Sequence, residues 1–179
     1  DDPFVKPSDE LVKSSYVQDY EKLYADSIVH PEAFWENIAK ELSWFKPWDK
    51  VLDWQYLYAH WFKGAHCNIV NNALDRHLKN ETKDKMALIW EGQDGAVRKF
   101  TYTQLNEEVC KLANALKTLG IKKGDRVSIY MPRLPEQTIS KLACAKIGAV
   151  HTVVYSGFST DALKNRIVEA ESKNVITAD

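Results

Sequence analysis

The sequence predicts an α/β fold: a helical, aromatic-rich N-terminal extension, then a β-hairpin, then a βαβαβ unit built on a parallel sheet. Three observations carry this expectation. Short apolar runs at Val127–Tyr130, Val150–Tyr155 and Val175–Thr177 have the length of buried strands. Stretches of helical length separate them, and strands alternating with helices build parallel sheets with right-handed crossovers. Tryptophan is unevenly spread: Trp35, Trp44, Trp48, Trp54 and Trp61 fall in the first part of the chain, and Trp90 alone lies beyond.

In the extension, Tyr16, Tyr20, Leu23 and Tyr24 recur at helical spacing, and Pro31 opens a second helix carrying Phe34, Trp35, Ile38 and Leu42. These aromatics read as core and docking contacts, because a base-stacking platform would need interleaved basic residues that are missing here. Asn68 to Leu78 reads as a helix, with Ile69, Ala73 and Leu74 on one face and His77 in the last turn, where the dipole favours a cation. Asp75, Arg76 and His77 are adjacent on that helix and point in different directions, so they are expected to be structural rather than a catalytic triad.

Met86–Trp90 and Arg98–Thr101 flank a glycine-bearing turn and read as a hairpin. Thr101 and Gln104 have capping-box spacing, and Leu105, Val109, Leu112, Ala113, Leu116 and Leu119 trace an apolar stripe up to Gly120. Lys122 to Asp125 turn into the strand at Val127. Pro135 suits a first helical turn, Gly148 a helix stop, and Ser159 the N-cap of a helix running from about Thr160 to Glu171. The expected last strand, Val175 to Asp179, has nothing following to cover its carboxyl end, which reads as a fragment of a larger sheet.

A chain of 179 residues can bury roughly 70% of its unfolded surface in one core. Its 24 basic and 25 acidic side chains leave a formal charge of -1, which offers no electrostatic footprint for nucleic acid or an acidic membrane. No apolar run approaches the roughly 20 residues of a membrane span, and Asp1-Asp2-Pro3 is not the basic start of a signal peptide. Cys67, Cys110 and Cys144 lack CxxC spacing and read as small core residues of a reducing compartment, the cytoplasm or an organelle matrix.

The chemistry concentrates at Tyr155-Ser156-Gly157-Phe158-Ser159, a turn leaving the carboxyl end of a parallel strand, where open α/β sheets bind ligands. Ser156 is not expected to be a nucleophile, since Val154 stands where a G-x-S-x-G elbow requires glycine and no histidine is placed to activate it. His30, His60, His66, His77 and His151 show neither HExxH nor a paired-cysteine pattern, so no metal site is expected. His60 and His66 are expected at the surface, and Arg133, between two prolines, is left without a role.

The motifs IYMPxxPE (from Ile129), LACAKIGAVH (from Leu142) and V-x-Y-S-G-F-S (from Val153) resemble those of the AMP-forming acetyl-CoA and propionyl-CoA synthetases, members of the acyl-adenylate-forming family. The likeness extends through WFKGAHCNIVNNALDRHL (from Trp61), Ile89–Gly92 and Thr101–Leu105, and covers most of the chain from about Tyr20. It implies an enzyme that joins a small carboxylic acid, acetate or propionate, to CoA through an acyl-adenylate, using ATP and Mg. It further implies an N-terminal extension over residues 1–85 and the first, truncated α/β part of the AMP-binding domain over 86–179. Tyr155, Ser156 and Gly157 would then lie beside the pantetheine arm of CoA; Ser156 stands where many members carry a first glycine. The phosphate-holding loop, the acidic residue for the nucleotide-bound metal and the mobile catalytic lysine of the family have no counterpart here. No catalytic residue is therefore assigned to this segment, which is expected to be inactive alone and to depend on the rest of the same synthetase chain. Two other readings stand beside this one: a non-catalytic nucleotide- or CoA-binding α/β module, and an interaction domain that docks through its aromatic collar.

Overall fold

The structure, a computed structural model, describes residues 5–178, so Asp1-Asp2-Pro3 and Asp179, named above, lie outside the described residues. The chain divides between His66 and Cys67 into two compact units, described separately.

The first unit carries three helices, α1 (Asp9–Ser14), α2 (Tyr20–Val29) and α3 (Pro31–Ala39), then strands β1 (Lys50–Gln55) and β2 (Tyr58–Lys63) paired antiparallel. Pro31 opens α3 as expected, but Tyr16 precedes α2 and Leu42 lies past the end of α3. The hairpin is unannounced in the sequence because Tyr56 and Leu57 connect its strands. Leu57 takes φ 76°, a conformation that Gly, Asn or Asp normally supply. What holds this unit is aromatic. Trp44, Trp48 and Phe62 form a half-buried triangle with centroids 5.2–5.5 Å apart, and the Trp44 indole donates to the Ala39 carbonyl at 2.8 Å. Trp54, Trp35 and Trp61 stay exposed, so the collar is only partly core. Lys50 and Lys63 lie directly opposite each other in the hairpin, a repulsive placement, and the Asp53 carboxylate bridges them at 2.8 and 2.5 Å.

The second unit begins with a short helix, α4 (Ile69–Ala73), followed by two single-turn 3-10 segments, Asp75–Lys79 and Glu81–Asp84. The continuous helix expected over Asn68–Leu78 is therefore broken at Leu74. Its buried face is Val70 and Leu74; Ile69 and Ala73 point outward, contrary to expectation. Asn68 caps the start of α4. Its side-chain oxygen caps the Val70 N–H at 2.8 Å, while its amide donates to the carbonyls of Ala145 and Lys146 in the last turn of a later helix.

Strands β3 (Met86–Glu91) and β4 (Val97–Thr101) form the expected hairpin. Helix α5 (Tyr102–Thr118) starts with the predicted capping box, Thr101 accepting from the Gln104 N–H at 3.2 Å and Gln104 from the Thr101 N–H at 3.0 Å. Its buried stripe is Leu105, Val109, Ala113 and Leu116; Leu119, placed on that stripe by spacing, follows the helix end and is 76% exposed.

Strand β5 (Arg126–Tyr130), helix α6 (Pro135–Ile147), strand β6 (Val150–Val154), helix α7 (Thr160–Glu169) and strand β7 (Asn174–Thr177) complete the predicted βαβαβ unit. The sheet is parallel in the order β6-β5-β7. Gly148 ends α6 at φ 77°, and a Cβ there would sit 2.9 Å from the Lys123 side chain, so both backbone and space require glycine. Val70, Leu74, Val109, Val127 and Cys144 meet in one core between α4, α5, α6 and the sheet. Cys144 is buried and Cys110 half-buried, but Cys67 is exposed and corrects the reading of all three as core residues. Among the described residues no helix is long and apolar enough to cross a membrane.

Truncating Leu74, 1% exposed, to Ala should cost about 3 kcal/mol, whereas Leu119→Ala should change stability by less than about 0.5 kcal/mol. Urea titrations with equal slopes and different midpoints would show this, and equal losses would refute the observed burial of Leu74 and exposure of Leu119. Acid should act on the hairpin of the first unit. The hydrogen bonds from Lys50 and then Lys63 hold the Asp53 carboxyl at about 2, below its ordinary 3.8. A depressed carboxyl stabilises above its unfolded value, and that contribution fades as pH falls from near 3.8 through about 2. Asp53→Asn should flatten the acid titration of tryptophan fluorescence in that window.

Candidate functional site

The three parallel strands end almost flush, since Tyr130 of β5 pairs with Val154 of β6 and with Thr177 of β7. From β5 the chain crosses through α6 to β6 on one side; from β6 it crosses back through α7 to β7 on the other. With right-handed crossovers, α6 and α7 take opposite faces of the sheet. The loops leaving β5 and β6 therefore run to opposite faces, and the crevice between them lies at the carboxyl end of the sheet, the end where open α/β sheets bind ligands.

The predicted turn lies at this crevice. Phe158 N–H donates to the Tyr155 carbonyl at 3.1 Å, closing a turn with Ser156 and Gly157 at its centre. Tyr155 is 62% exposed and its ring meets Phe158 edge-on at 5.6 Å. Gly157 does not need glycine for its φ; a Cβ there would lie 2.6 Å from the Tyr155 ring, so the need is one of space. Ser159 caps α7 by accepting from the Ala162 N–H at 3.4 Å, as its position predicted. The Arg166 guanidinium rests 4.2 Å from the Phe158 ring centroid, within cation–π range.

Two residues that sequence reasoning left without a role belong here. Alternation along β5 puts Val127 and Ile129 on one face and Ser128 and Tyr130 on the other, and the Tyr130 hydroxyl donates across the crevice to the Ser156 carbonyl at 3.0 Å. Arg166 is the second, through its contact with Phe158. The signal for Tyr130 was its position as the last residue of a strand, with a hydroxyl that reaches beyond it.

The loop leaving β5 is fixed by the β3–β4 hairpin. The Trp90 indole donates to the Arg133 carbonyl at 2.6 Å, and Arg98 meets Glu136, in the first turn of α6, at 2.7 Å. The hydrogen bond from Arg98 holds the Glu136 carboxyl below its ordinary range. It is thus an anion committed to an ion pair rather than a free acid. His151 lies at the amino half of β6, away from the turn, and burial, followed by the nearby Lys141 charge, pushes its imidazole down. Asp75, Arg76 and His77 diverge as expected: Asp75 meets Lys146 at 2.6 Å, Arg76 reaches Asn72, and His77 packs on the Tyr102 ring. A recess of about 500 Å³ lined by Lys117, Lys122, Lys123 and Lys146 lies by the loop entering β5, opposite the turn. Lys117 and Lys146 occupy the last turns of α5 and α6, where they complement the helix dipoles.

Fold and turn together define an open α/β protein with a short turn at the carboxyl end of its parallel sheet. The sequence model of the family described as AMP-binding enzyme matches residues 74–179, and that of the acetyl-coenzyme A synthetase N-terminus matches residues 20–73. The chain belongs to the AMP-binding enzyme family, the family its motifs resemble. An acetyl-coenzyme A synthetase of Deinococcus radiodurans is 51% identical over 177 residues, 98% of this chain and 27% of that protein. Acetyl-coenzyme A synthetase 2 of Pseudomonas putida is 50% identical, over 90% of this chain and 26% of that protein. The solved structure of acetoacetyl-CoA synthetase from Streptomyces lividans matches with a TM-score of 0.84 at 24% identity, over 96% of this chain and 29% of that one, a likeness of fold. The chain spans about a quarter of the length of the curated relatives it matches.

The environments of the thiols differ enough to be read chemically. Burial pushes the Cys144 thiol up to about 11, whereas Cys67 is exposed. A disulfide reagent at neutral pH should modify Cys67 first and Cys144 only on unfolding; peptide mapping would check the order, and early labelling of Cys144 would contradict the core.

Proposed function

We propose that this chain is the N-terminal part of an ATP-dependent, AMP-forming short-chain acyl-CoA ligase, with acetate as the leading acid and propionate the rival. The carrying observation is identity of about half over nearly the whole chain to proteins named acetyl-coenzyme A synthetase. Residues 1–85 would be the N-terminal extension, its last part from Cys67 built into the α/β core, and residues 86–179 the first part of the AMP-binding domain. In the complete reaction the carboxylate displaces pyrophosphate from ATP, with Mg neutralising the phosphates, and the CoA thiol then displaces AMP from the acyl-adenylate.

The turn Tyr155-Ser156-Gly157 would form the wall along which the pantetheine arm of CoA reaches the acyl group. Its position at the carboxyl end of the parallel sheet and the uncovered, uncharged face of Tyr155 support that reading. Charge for the pyrophosphate leaving group, a term worth several kcal/mol of barrier, would come from residues outside these 179. This part would therefore act as scaffold and thiol channel, with no acid or base of its own in the chemistry. The working compartment would be the cytoplasm or an organelle matrix.

Carboxylate-dependent ATP–pyrophosphate exchange, run with acetate, propionate and butyrate, tests this on the 179-residue chain and on a C-terminally extended chain. Exchange is expected only in the extended chain and fastest with acetate. Exchange by the short chain would overturn the division of labour, and silence in both would overturn the ligase reading.

A further inference from the structure

The Ser156–Gly157 turn has no ladder of its own, since β6 ends at Val154 and α7 starts at Thr160. Its shape is set by few contacts: the Phe158 to Tyr155 bond within the turn, the Arg166 and Phe158 stack on the helix side, and the Tyr130 hydroxyl reaching in from β5. Of these, the Tyr130 contact alone ties the turn to the middle of the sheet. The hydroxyl lies 3.0 Å from the Ser156 carbonyl and 3.5 Å from that of Phe158, so it faces two carbonyls of one turn across the crevice. Its own strand does not move easily: Val127, Ser128 and Ile129 are fully buried, and β5 is hydrogen-bonded to neighbours on both sides.

We propose that Tyr130 is a positioning residue for the thiol-transfer step: by donating to the Ser156 carbonyl it locks the Tyr155–Phe158 turn against the carboxyl end of β5, in the conformation that receives the pantetheine arm. The inference rests on the reading of that turn as a CoA-binding wall. Tyr130 touches no reacting atom in this scheme and acts through the turn. Adenylation does not use the turn, so the two half-reactions separate its role from a general one in folding.

The experiment uses the complete synthetase bearing this segment, with Tyr130→Phe and Gly157→Val as parallel variants. Pyrophosphate exchange without CoA, the KM for CoA in thioester formation, and amide hydrogen exchange at Phe158 are measured for each. Loss of one neutral hydrogen bond should raise the CoA KM of Tyr130→Phe roughly three- to tenfold, leave pyrophosphate exchange within about twofold of the parent, and speed exchange of the Phe158 amide. Gly157→Val, which pushes the Tyr155 ring aside, should raise the CoA KM as well. A raised KM for Gly157→Val with an unchanged KM for Tyr130→Phe would overturn the role of Tyr130 and leave the CoA wall standing. Unchanged KM in both, with a faster Phe158 amide in Tyr130→Phe, would overturn the CoA wall itself. Equal losses in both half-reactions of Tyr130→Phe would reduce the residue to a structural one.

Discussion

Burial of β5 on both faces is the constraint on which the second unit depends. Val127, Ser128 and Ile129 have no exposed surface, and the strand is paired on both sides. A strand so placed needs cover above and below, and the chain supplies it with helices on opposite faces through right-handed crossovers. That same arrangement makes the loops leaving β5 and β6 diverge. The crevice between them is thus a by-product of covering a buried strand, and the turn beside it inherits a rigid floor at Tyr130.

Elements whose signals are local were legible in the sequence. The Thr101 capping box, Pro135 at a first helical turn, Gly148 as a left-handed stop and the Ser159 cap each rest on backbone groups within four residues, and all four stand as read. The misreadings have long-range causes. Helix α4 ends at Leu74, which packs into the core while Ile69 stays outside, and its Asn68 cap reaches carbonyls in α6, some 77 residues on. The first hairpin escaped because Leu57, at its exposed tip, adopts a positive φ without being glycine. Leu119 fits the helical period, but the helix stops before it.

The candidate site shows the same division. Tyr155 to Gly157 could be placed at a strand end from the apolar run alone, and its family resemblance came from motif residues in one contiguous stretch. What the turn rests on could not be read, because Tyr130 precedes Ser156 by 26 residues and meets it only once β5 and β6 are in register. Arg166 sits on a helix face where spacing suggests a solvated cation, yet it stacks on Phe158.

The electrostatics follow from this geometry rather than from net charge. Near the carboxyl end of the sheet, Glu136 is engaged by Arg98 and Arg166 by Phe158. The cation-rich recess lies at the other end, where helix termini call for positive charge. A turn that offers backbone groups, a hydroxyl at Ser156 and an exposed aromatic edge, with no free cation built into it, suits a neutral, extended ligand arm better than a phosphate. Polyanions would be held by charges that the turn does not carry. That distinction accords with the proposed pantetheine contact: the arm of CoA that bears the thiol is the neutral part of the molecule, and a neutral arm needs a wall of defined shape, which a turn held at a rigid strand end would provide.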